Sequence, residues 1–445
     1  MKKPQKPPAT SFGAALVYLT HSTHLSEFIA NATVEGKYLH WDELRHLDPP
    51  EGLSHKQWWA ILKFARRAGR QLVNLEPIDG GHDFSFILPD IAQQYLYELS
   101  KGLGGSIELS SRVVNKDTRD QYYISSLVDE AITSSQLEGA STTKRVAEDM
   151  LRSGRSPRSK SELMIFNNYR AMNLVGEMKD KPLTPARVFE LHRVVTEGTL
   201  RSDDEAGRFR RPAEQIEVVN NENDEILHVP PHADTLPVRL QRMCDFANEK
   251  TPEGKFIHPI VRAIILHFWL AYDHPFTDGN GRVARALFYW SMRRAGHWLA
   301  EYVSISTVIS KAPAKYGRAF LYTESDDNDL TYFILYHLRV LSLATRNLHD
   351  YIQRKSARVR KLTEQLNGLA ALNHRQRELI IHALRHPRQE YTIQSHRTSH
   401  NVVYQTARRD LLDLEERGYL IRMKRGKEFV FMAQTGLEKK LERRT

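Results

Sequence analysis

A twelve-residue segment from His274 to Arg285, HPFTDGNGRVAR, concentrates residue types that serve phosphate chemistry. His274 carries an imidazole that can accept a proton near neutral pH. Asp278 is a hard oxygen ligand, of the kind that binds Mg²⁺ on nucleotide phosphates. Arg282 and Arg285 are three positions apart, which is about one helical turn, so both can approach the same anion. The segment therefore indicates phosphoryl or nucleotidyl transfer.

The elements around this segment would present it as a loop between two helices. Apolar residues at helical spacing from Ile260 to Tyr272 predict a helix, and Pro275 cannot lie in its interior. The Gly279–Gly281 loop then enters a second helix, whose first backbone N–H groups have no partner and favour an anion. A Gly-Asn-Gly loop alone is usually only a turn, and a single His at a helix end usually packs or caps. Six suited residues within twelve positions favour a functional site.

The segment matches the signature HxFx(D/E)GNGRxxR of the Fic family at every defined position. Three further segments resemble parts of a Fic domain: LTPARVFELHRVV at 183–195, GRFRRPAEQIEV…ILHVPP at 207–231, and HPIVRAIILHFWLAYDHPF at 258–276. The resemblance covers residues 120–345 and implies a mainly α fold, with a helical core and a β-hairpin flap.

The resemblance implies that AMP moves from ATP to a Tyr, Thr or Ser hydroxyl of a target protein, or of the chain itself, with Mg²⁺ as cofactor. His274 would be the catalytic base, and Asp278 would hold Mg²⁺ on the phosphates. Motif position implies three further roles. Gly279, Asn280 and Gly281 would form an anion hole for the α-phosphate, and Arg282 and Arg285 would hold the remaining phosphates. Phe276 would be the apolar side chain that anchors the loop.

Two more roles come from the resemblance outside the motif. The hairpin at 215–229 resembles the family's flap, in which Leu227 and Val229 would hold the target segment by strand addition. Tyr316 resembles the first member of a Tyr-Tyr pair near the adenine pocket, but Gly317 stands in the second place. Helix packing explains Tyr316 equally well.

An inhibitory element is implied upstream, where SSQLEG at 134–139 matches the family pattern (S/T)xxxE(G/N) through Ser134, Glu138 and Gly139. A single Glu is by default a solvated carboxylate. In the family, a Glu at this place pairs with the second arginine of the motif, here Arg285, and obstructs productive γ-phosphate binding. In some relatives the same Glu helps a water to remove AMP. Transfer and removal of AMP therefore both remain open.

Positive charge is concentrated at the C-terminal end of the 445-residue chain, whose formal net charge is +10. Residues 1–350 hold 43 Lys+Arg against 44 Asp+Glu, whereas residues 351–445 hold 21 against 10. Such a step in composition usually marks a change of domain. We expect a helical N-terminal region at 1–110, a Fic domain at 111–349 with its inhibitory helix near 125–140, a linking helix at 350–372, and a winged helix-turn-helix at 373–445.

The order of elements supports the last assignment. Helical patterns at 373–385, 392–395 and 401–418 precede two strand-like runs at 419–423 and 428–432. Basic side chains would surround the recognition helix and the wing tip: Arg397, His400, Arg408, Arg409, Lys424, Arg425 and Lys427. They fit DNA phosphates, although winged helices also bind proteins. A DNA-binding regulator whose Fic core only senses nucleotide is therefore a third candidate function.

Composition sets further bounds. Cys244 is the single cysteine, which excludes an intramolecular disulfide and fits a cytoplasmic location. The most apolar stretch, at 263–272, is about half as long as a bilayer requires, so no membrane partner is expected. No GxxxxGK(S/T) is present, which disfavours a P-loop kinase. The family often forms dimers, so a homodimer is also a candidate assembly.

Overall fold

A computed structural model describes residues 2–10, 32–67, 69–78, 80–104, 116–153, 155–220, 223–248, 256–297, 300, 302–368, 372–387, 389–425 and 428–442. The chain forms two compact units. Unit 1 comprises Met1–Gly105 and Ser126–Thr345, and unit 2 comprises Ser106–Ser125 and Arg346–Thr445. The fold is mainly α, as the sequence predicts, with small two-stranded antiparallel sheets.

The N-terminal part of unit 1 is helical with one small sheet that the sequence patterns do not indicate. Its helices are α1 (Trp41–Leu44), α2 (His55–Arg67) and α3 (Asp90–Gly104), and the sheet pairs β1 (Gln71–Leu72) with β2 (Ser85–Phe86). His40 begins α1, because its ring accepts the Asp42 N–H while the Glu43 side chain accepts the His40 N–H.

The helices that follow along the chain supply most of the buried residues of unit 1. They are α4 (Lys116–Leu137), α5 (Lys144–Ser153), α6 (Lys160–Met178), α7 (Pro185–Thr196), α8 (Leu236–Ala247), α9 (Pro259–Asp273), α10 (Asn280–Arg294), α11 (Ile305–Ile309), α12 (Pro313–Ser325) and α13 (Thr331–Gly368). α9 and α10 pack against each other at the centre. Both are buried on almost every side, which explains the continuous apolar run in α9.

Two helix boundaries differ from expectation near the end of unit 1. The sequence pattern from Tyr316 to about Leu343 predicts one helix, but the structure breaks it after Ser325, where Asp327 and Asn328 adopt positive φ. Conversely, the linking helix expected at 350–372 is the second half of α13, which runs on without interruption to Gly368. Residues 344–349 contain neither Gly nor Pro, so nothing in the sequence ends the helix there.

The flap hairpin is shorter than the runs of alternating residues suggest. β3 (Val218–Val219) pairs antiparallel with β4 (Ile226–His228), and the register shifts between Val218 and Val219. Because an irregularity of this kind ends the ladder early, the residues from Gln215 to Glu217 and Val229 lie outside the strands.

Unit 2 ends in three helices followed by an antiparallel hairpin. These elements are α14 (His374–Arg385), α15 (Ile393–His400), α16 (Tyr404–Glu416), β5 (Leu420–Arg425), β6 (Glu428–Ala433) and a final short α17 (Leu437–Glu442). Their apolar faces share one core, in which Ile380, Leu411, Leu414 and Phe431 are almost completely buried. We call residues 373–442 the helix–hairpin unit. In the described ranges of the chain, no helix is long and apolar enough to cross a bilayer.

Candidate active site

The loop between α9 and α10 carries the residues that the sequence analysis places in the site. α9 ends at His274, whose φ of 45° and ψ of 57° lie in the left-handed region. Gly279 has a φ of 86° and immediately precedes α10. A Cβ at Gly279 would lie 2.7 Å from Cγ2 of Thr196, so both the backbone angle and the close approach of α7 require glycine there.

Asn280 and Phe276 hold the loop in shape. The Asn280 side chain accepts the Phe276 N–H at 3.0 Å and donates to the Phe276 carbonyl at 2.9 Å. The Phe276 ring is completely buried, and it stacks on the His192 ring with a centroid distance of 3.8 Å. Since the Asn280 side chain is occupied in this way, the anion site that the loop offers consists of backbone groups at the start of α10.

His192 is a positioning residue that the motif does not reveal, because it lies in α7. Its Nδ1 accepts the Gly207 N–H at 2.9 Å, so its Nε2 carries the proton and donates to the Asp278 carbonyl at 2.9 Å. Burial lowers the pKa of His192 to about 4, which keeps the ring neutral. The His192 ring therefore connects the loop between α9 and α10 to the segment that leads into the flap.

Arg210 is a second residue that sequence reasoning missed. Its side chain donates to the carbonyls of His274, at 2.9 Å, and of Pro231, while its backbone N–H donates to the Pro275 carbonyl at 2.9 Å. Arg210 thus joins the chain on either side of the flap to the first residues of the loop. The only sequence signal was its place in GRFRRP, within the segment that resembles the flap.

His274 has one ring nitrogen engaged by the protein. Nδ1 faces the Ala271 carbonyl at 3.3 Å, so in the neutral ring Nδ1 carries the proton and Nε2 is the acceptor. Burial lowers the pKa of His274 to about 4, and the nearby His228 and Arg210 act in the same direction, against the hydrogen bond to Ala271. A neutral imidazole with Nε2 free is the form that a general base requires.

Arg282 is a buried cation with one polar atom unsatisfied. It donates to the Val195 carbonyl at 3.0 Å, and its other terminal nitrogen lies 3.4 Å from Oδ1 of Asp278. Its Nε has no hydrogen-bond partner among the described residues. Burial lowers the pKa of Arg282. A desolvated guanidinium with an unused donor is suited to bind an anion.

Arg285 is held by the end of α4. Its Nε donates to Oγ of Ser134 at 2.8 Å, and one terminal nitrogen donates both to the Ser134 carbonyl at 2.9 Å and to Oε1 of Glu138 at 2.7 Å. Burial alone would lower the pKa of Arg285, but Glu138 together with Tyr316 and Glu130 outweighs burial, so the pKa is raised. The structure thus brings Ser134 and Glu138 together with Arg285, which lies 151 and 147 positions further along the sequence.

The Glu138 carboxylate also lies directly over the glycine loop. A Cβ at Gly281 would come within 2.1 Å of Oε1 of Glu138, so glycine is needed for this approach. Gly139 follows with a φ of 92°, which ends α4 and lets the chain turn away. The first turn of α10 and Arg285, which together would bind phosphate oxygens, therefore face a carboxylate of the same chain.

Asp278 points outward from the loop, and about half of its side chain is exposed. Its Oδ1 accepts the Gly279 N–H and faces Arg282. In the part of the chain that the structure describes, no group of three or more His, Cys, Asp and Glu residues could hold a metal ion. A single exposed carboxylate fits Mg²⁺ that is bound mostly by substrate phosphates and water, and it does not fit a site built by the protein alone.

Tyr316 lies on α12, near Arg285 of α10. Its hydroxyl is 2.8 Å from Nε2 of His267. Burial raises the pKa of Tyr316 to about 12, and the nearby Arg285 guanidinium opposes this shift. The hydroxyl therefore lies in the electrostatic field of Arg285, and this proximity was not apparent from the sequence.

The flap is fastened at its base. His228 Nδ1 is 2.7 Å from Oε2 of Glu324, and its Nε2 is 2.7 Å from the Tyr272 carbonyl. Burial alone would lower the pKa of His228, but Glu324 and the Tyr272 carbonyl raise it. On either side of this anchor, Leu227 is partly buried and Val229 is 55% exposed.

Glu130 anchors the helix that carries Glu138. Its buried carboxylate accepts hydrogen bonds from Tyr289 Oη, Ser304 Oγ, and both the backbone N–H and Oγ of Ser306, at 2.5–3.1 Å. The partners lie on α10 and at the start of α11. α4 is therefore fixed to the same helix whose first turn Glu138 covers.

Known proteins match this part of the chain. The profile of the Fic/DOC family matches residues 182–292, which include α7, the flap, the loop and most of α10. The matched residues make up about a quarter of the 445-residue chain. Glu138, Ser134 and Tyr316 lie outside the matched residues, so their assignment to the site rests on the contacts described above.

The relatives of this chain are distant in sequence. "Protein adenylyltransferase Fic" of Nematostella vectensis is 37% identical over 118 residues, which are 26% of this chain and 25% of that protein. The protein of the same name from Drosophila ananassae is 28% identical over 197 residues, 43% of this chain and 36% of its own length. The chain thus spans about a quarter to a third of these relatives.

One solved structure is similar over a larger part of the chain. A Fic family protein from Desulfovibrio desulfuricans G20 covers 76% of this chain and 96% of its own, with 18% identity and a TM-score of 0.49.

Proposed function

We propose that this protein transfers AMP from ATP to a Tyr, Thr or Ser hydroxyl of a protein, including its own chain, and that Glu138 restrains the reaction. The observation that carries the proposal is the convergence at one loop of a neutral histidine with a free Nε2, two buried arginines and the first turn of α10. These are the parts that a nucleotidyl transfer needs: a base, and positive groups for the phosphates.

The chemical step follows from the positions of these groups. Nε2 of His274 takes the proton of the attacking hydroxyl, and the hydroxyl oxygen forms a bond to the α-phosphorus of ATP. The bond from the α-phosphorus to the oxygen that bridges it to the β-phosphate breaks, and pyrophosphate leaves. Backbone N–H groups at Gly279–Gly281 stabilise the charge on the α-phosphate oxygens, and Arg282 and Arg285 hold the leaving phosphates.

Magnesium and the flap would complete the site. Asp278 would hold Mg²⁺ together with phosphate oxygens and water, and the metal would supply charge neutralisation for the leaving pyrophosphate. The hairpin near Leu227 and Val229 would bind an extended target segment alongside β4, because Val229 is exposed and the neighbouring His228 fixes the strand.

Restraint by Glu138 follows from competition for Arg285. A carboxylate 2.7 Å from the guanidinium and over Gly281 takes the place that phosphate oxygens would use. A hydrogen bond to a charged group is worth about 1.5–3 kcal/mol, which corresponds to a factor of about 10 to 150 in rate. We therefore expect Glu138→Gly to raise AMP transfer by about that factor.

The test uses ATP labelled in the α-phosphate and follows label on protein. Glu138→Gly should raise labelling, Glu138→Gln should raise it less, and Glu148→Gln, which removes a carboxylate from the neighbouring α5, should leave it at the wild-type level. Adding His274→Ala to Glu138→Gly should lower labelling by about 10²- to 10⁴-fold. Labelling of Glu138→Gly that does not exceed wild type, or that survives His274→Ala, would refute the proposal.

The rival functions predict other results in the same assay. An AMP-removing hydrolase would release label from pre-modified protein, with Glu138 required for the release rather than inhibitory. A regulator that only senses nucleotide would bind ATP and give neither labelling nor release.

A further inference from the structure

A basic face of the helix–hairpin unit is left without internal partners. Arg408 and Arg409 on α16 and Lys424 on β5 are exposed. None of the three has a hydrogen bond or ion pair within the described part of the chain. Water and counterions solvate exposed cations that have no internal partner, and a cluster of such cations also attracts acidic macromolecules.

In the described part of the chain, the N-terminal half of α16 carries no unpaired carboxylate, for two reasons. Residues 391–409 contain no Asp or Glu, and Asp410, which follows directly, is turned into the unit and paired with Arg375 at 2.7 Å. The next carboxylates along α16 are also engaged, Asp413 with Arg417 and Glu415 with Arg422. The charge of the N-terminal half of α16 is therefore purely positive.

The backbone that leads into this half of α16 is like that before the recognition helix of a helix-turn-helix. α15 and α16 are joined by the three residues 401–403, of which Asn401 has a φ of 49°. Such a short turn with one left-handed residue is typical of a helix-turn-helix. Tyr404 and Arg408, like Gln405 and Arg409, are four positions apart, so they share one exposed surface. Arg and Gln are side chains that read base edges in the major groove.

We propose that the helix–hairpin unit binds double-stranded DNA, with the N-terminal half of α16 in the major groove and Lys424 at a backbone phosphate. Exposed Val403 and Tyr404, at 69% and 48%, would also suit a protein contact. A second copy of the chain is disfavoured, because a two-fold interface through this face would bring Arg408 and Arg409 against their own copies. DNA satisfies the arginines and tolerates the apolar pair, which can contact thymine methyl groups.

Some basic residues named from the sequence do not contribute free charge. Arg425 pairs with Glu390 at 2.6 Å. His400 is largely buried and faces Glu378 at 3.9 Å. Lys427 lies outside the described residues. Arg397 is exposed and donates to Gln394 at 3.3 Å, so it can reach a phosphate with a small rearrangement. The proposal therefore rests on Arg408, Arg409 and Lys424.

The test measures binding of the full chain to a fluorescein-labelled duplex of random sequence, about 25 base pairs long, between about 50 and 200 mM salt. The double variant Arg408→Ala and Arg409→Ala should weaken binding at least about tenfold at low salt and make the slope of log K against log salt shallower by about 1 to 2. A control variant, Lys179→Ala with Lys181→Ala, removes two exposed charges from unit 1 and should bind as wild type does.

Circular dichroism of both variants would verify that they fold. The proposal is overturned if the wild-type chain fails to bind the duplex at about 50 mM salt, or if the Arg408/Arg409 variant binds as tightly as the control. The proposal is also overturned if the chain does not bind the duplex but self-associates, and if Tyr404→Ala abolishes the self-association. The face would then be a protein contact.

Discussion

At the scale of single residues, the environment of His274 decides when the site can work. An isolated imidazole has a pKa near 6.5, whereas burial and the neighbouring cations His228 and Arg210 lower the pKa of His274 to about 4. A lowered pKa means that the ring loses its proton at a lower pH. In the proposed reaction, His274 would therefore be neutral and able to accept a proton throughout the neutral range and into mild acid.

This shift predicts an unusual pH profile for AMP transfer. Between about pH 8 and 5.5 the kcat/KM of Glu138→Gly should not fall through protonation of His274, and it should fall below about pH 5 as the ring gains its proton. The measurement is label transfer from α-labelled ATP in a series of buffers at constant ionic strength. An acid limb centred near pH 6.5 would show that the ring is solvated and would contradict the environment described here.

Residue-scale features differ in how far the sequence reveals them. The motif predicts the loop, the start of α10 and a pair between Glu138 and Arg285, because those residues recur in a known pattern. Neither His192 nor Arg210 was predicted, since each acts through a backbone carbonyl of the loop, 86 and 64 positions away in the sequence. Because every residue type has a backbone carbonyl, the identity of the accepting residue does not indicate that such a hydrogen bond exists.

At the scale of elements, α4 leads directly into Glu138, whose carboxylate we propose to be inhibitory. Glu130 anchors α4, because its carboxylate accepts hydrogen bonds from α10 and from the start of α11. Glu138 lies two helical turns further along, at the end of α4, where it reaches Arg285 and Gly281. The restraint that we propose for Glu138 therefore depends on how firmly α4 is held in place.

Weakening this anchor should loosen the restraint. Glu130→Gln keeps the size of the side chain but replaces one acceptor oxygen by an amide, which leaves buried hydroxyl groups with a poorer partner. We expect a loss of stability of about 1–3 kcal/mol, seen as a lower Tm. The same variant should raise label transfer above wild type even though Glu138 is intact.

Glu148→Gln serves as the comparison, because Glu148 is partly exposed and pairs with Lys144 only at 3.7 Å. It should change neither Tm nor labelling appreciably. A Glu130→Gln protein with lower Tm and unchanged labelling would show that α4 holds Glu138 in place without Glu130.

Element boundaries were predictable where the sequence contains a stop signal. Pro275 and Gly279 frame the loop, and Pro185 lies at the first position of α7. No such signal exists at residues 344–349, so the helix continues where a domain boundary was expected. The β1–β2 pair was also missed, because two-residue strands have no period to detect.

At the scale of the whole molecule, the described site residues lie in unit 1 and the uncompensated basic face lies in unit 2. The formal charge of +10 arises from the C-terminal 95 residues, not from the arginines of the loop. Arg282 and Arg285 are nearly or completely buried. The excess of positive charge therefore belongs to the C-terminal residues, whereas the proposed chemistry would depend on two desolvated cations and one neutral histidine.

The central claim is that the group transferred is AMP and that Glu138 restrains its transfer. The most direct measurement incubates Glu138→Gly and wild type with ATP labelled either in the α- or in the γ-phosphate, and then counts label on denatured protein. We predict α-label on protein, at about 10- to 150-fold more in Glu138→Gly than in wild type, and no γ-label, because pyrophosphate leaves. Label from the γ-phosphate alone, or equal α-labelling of the two proteins, would contradict the account.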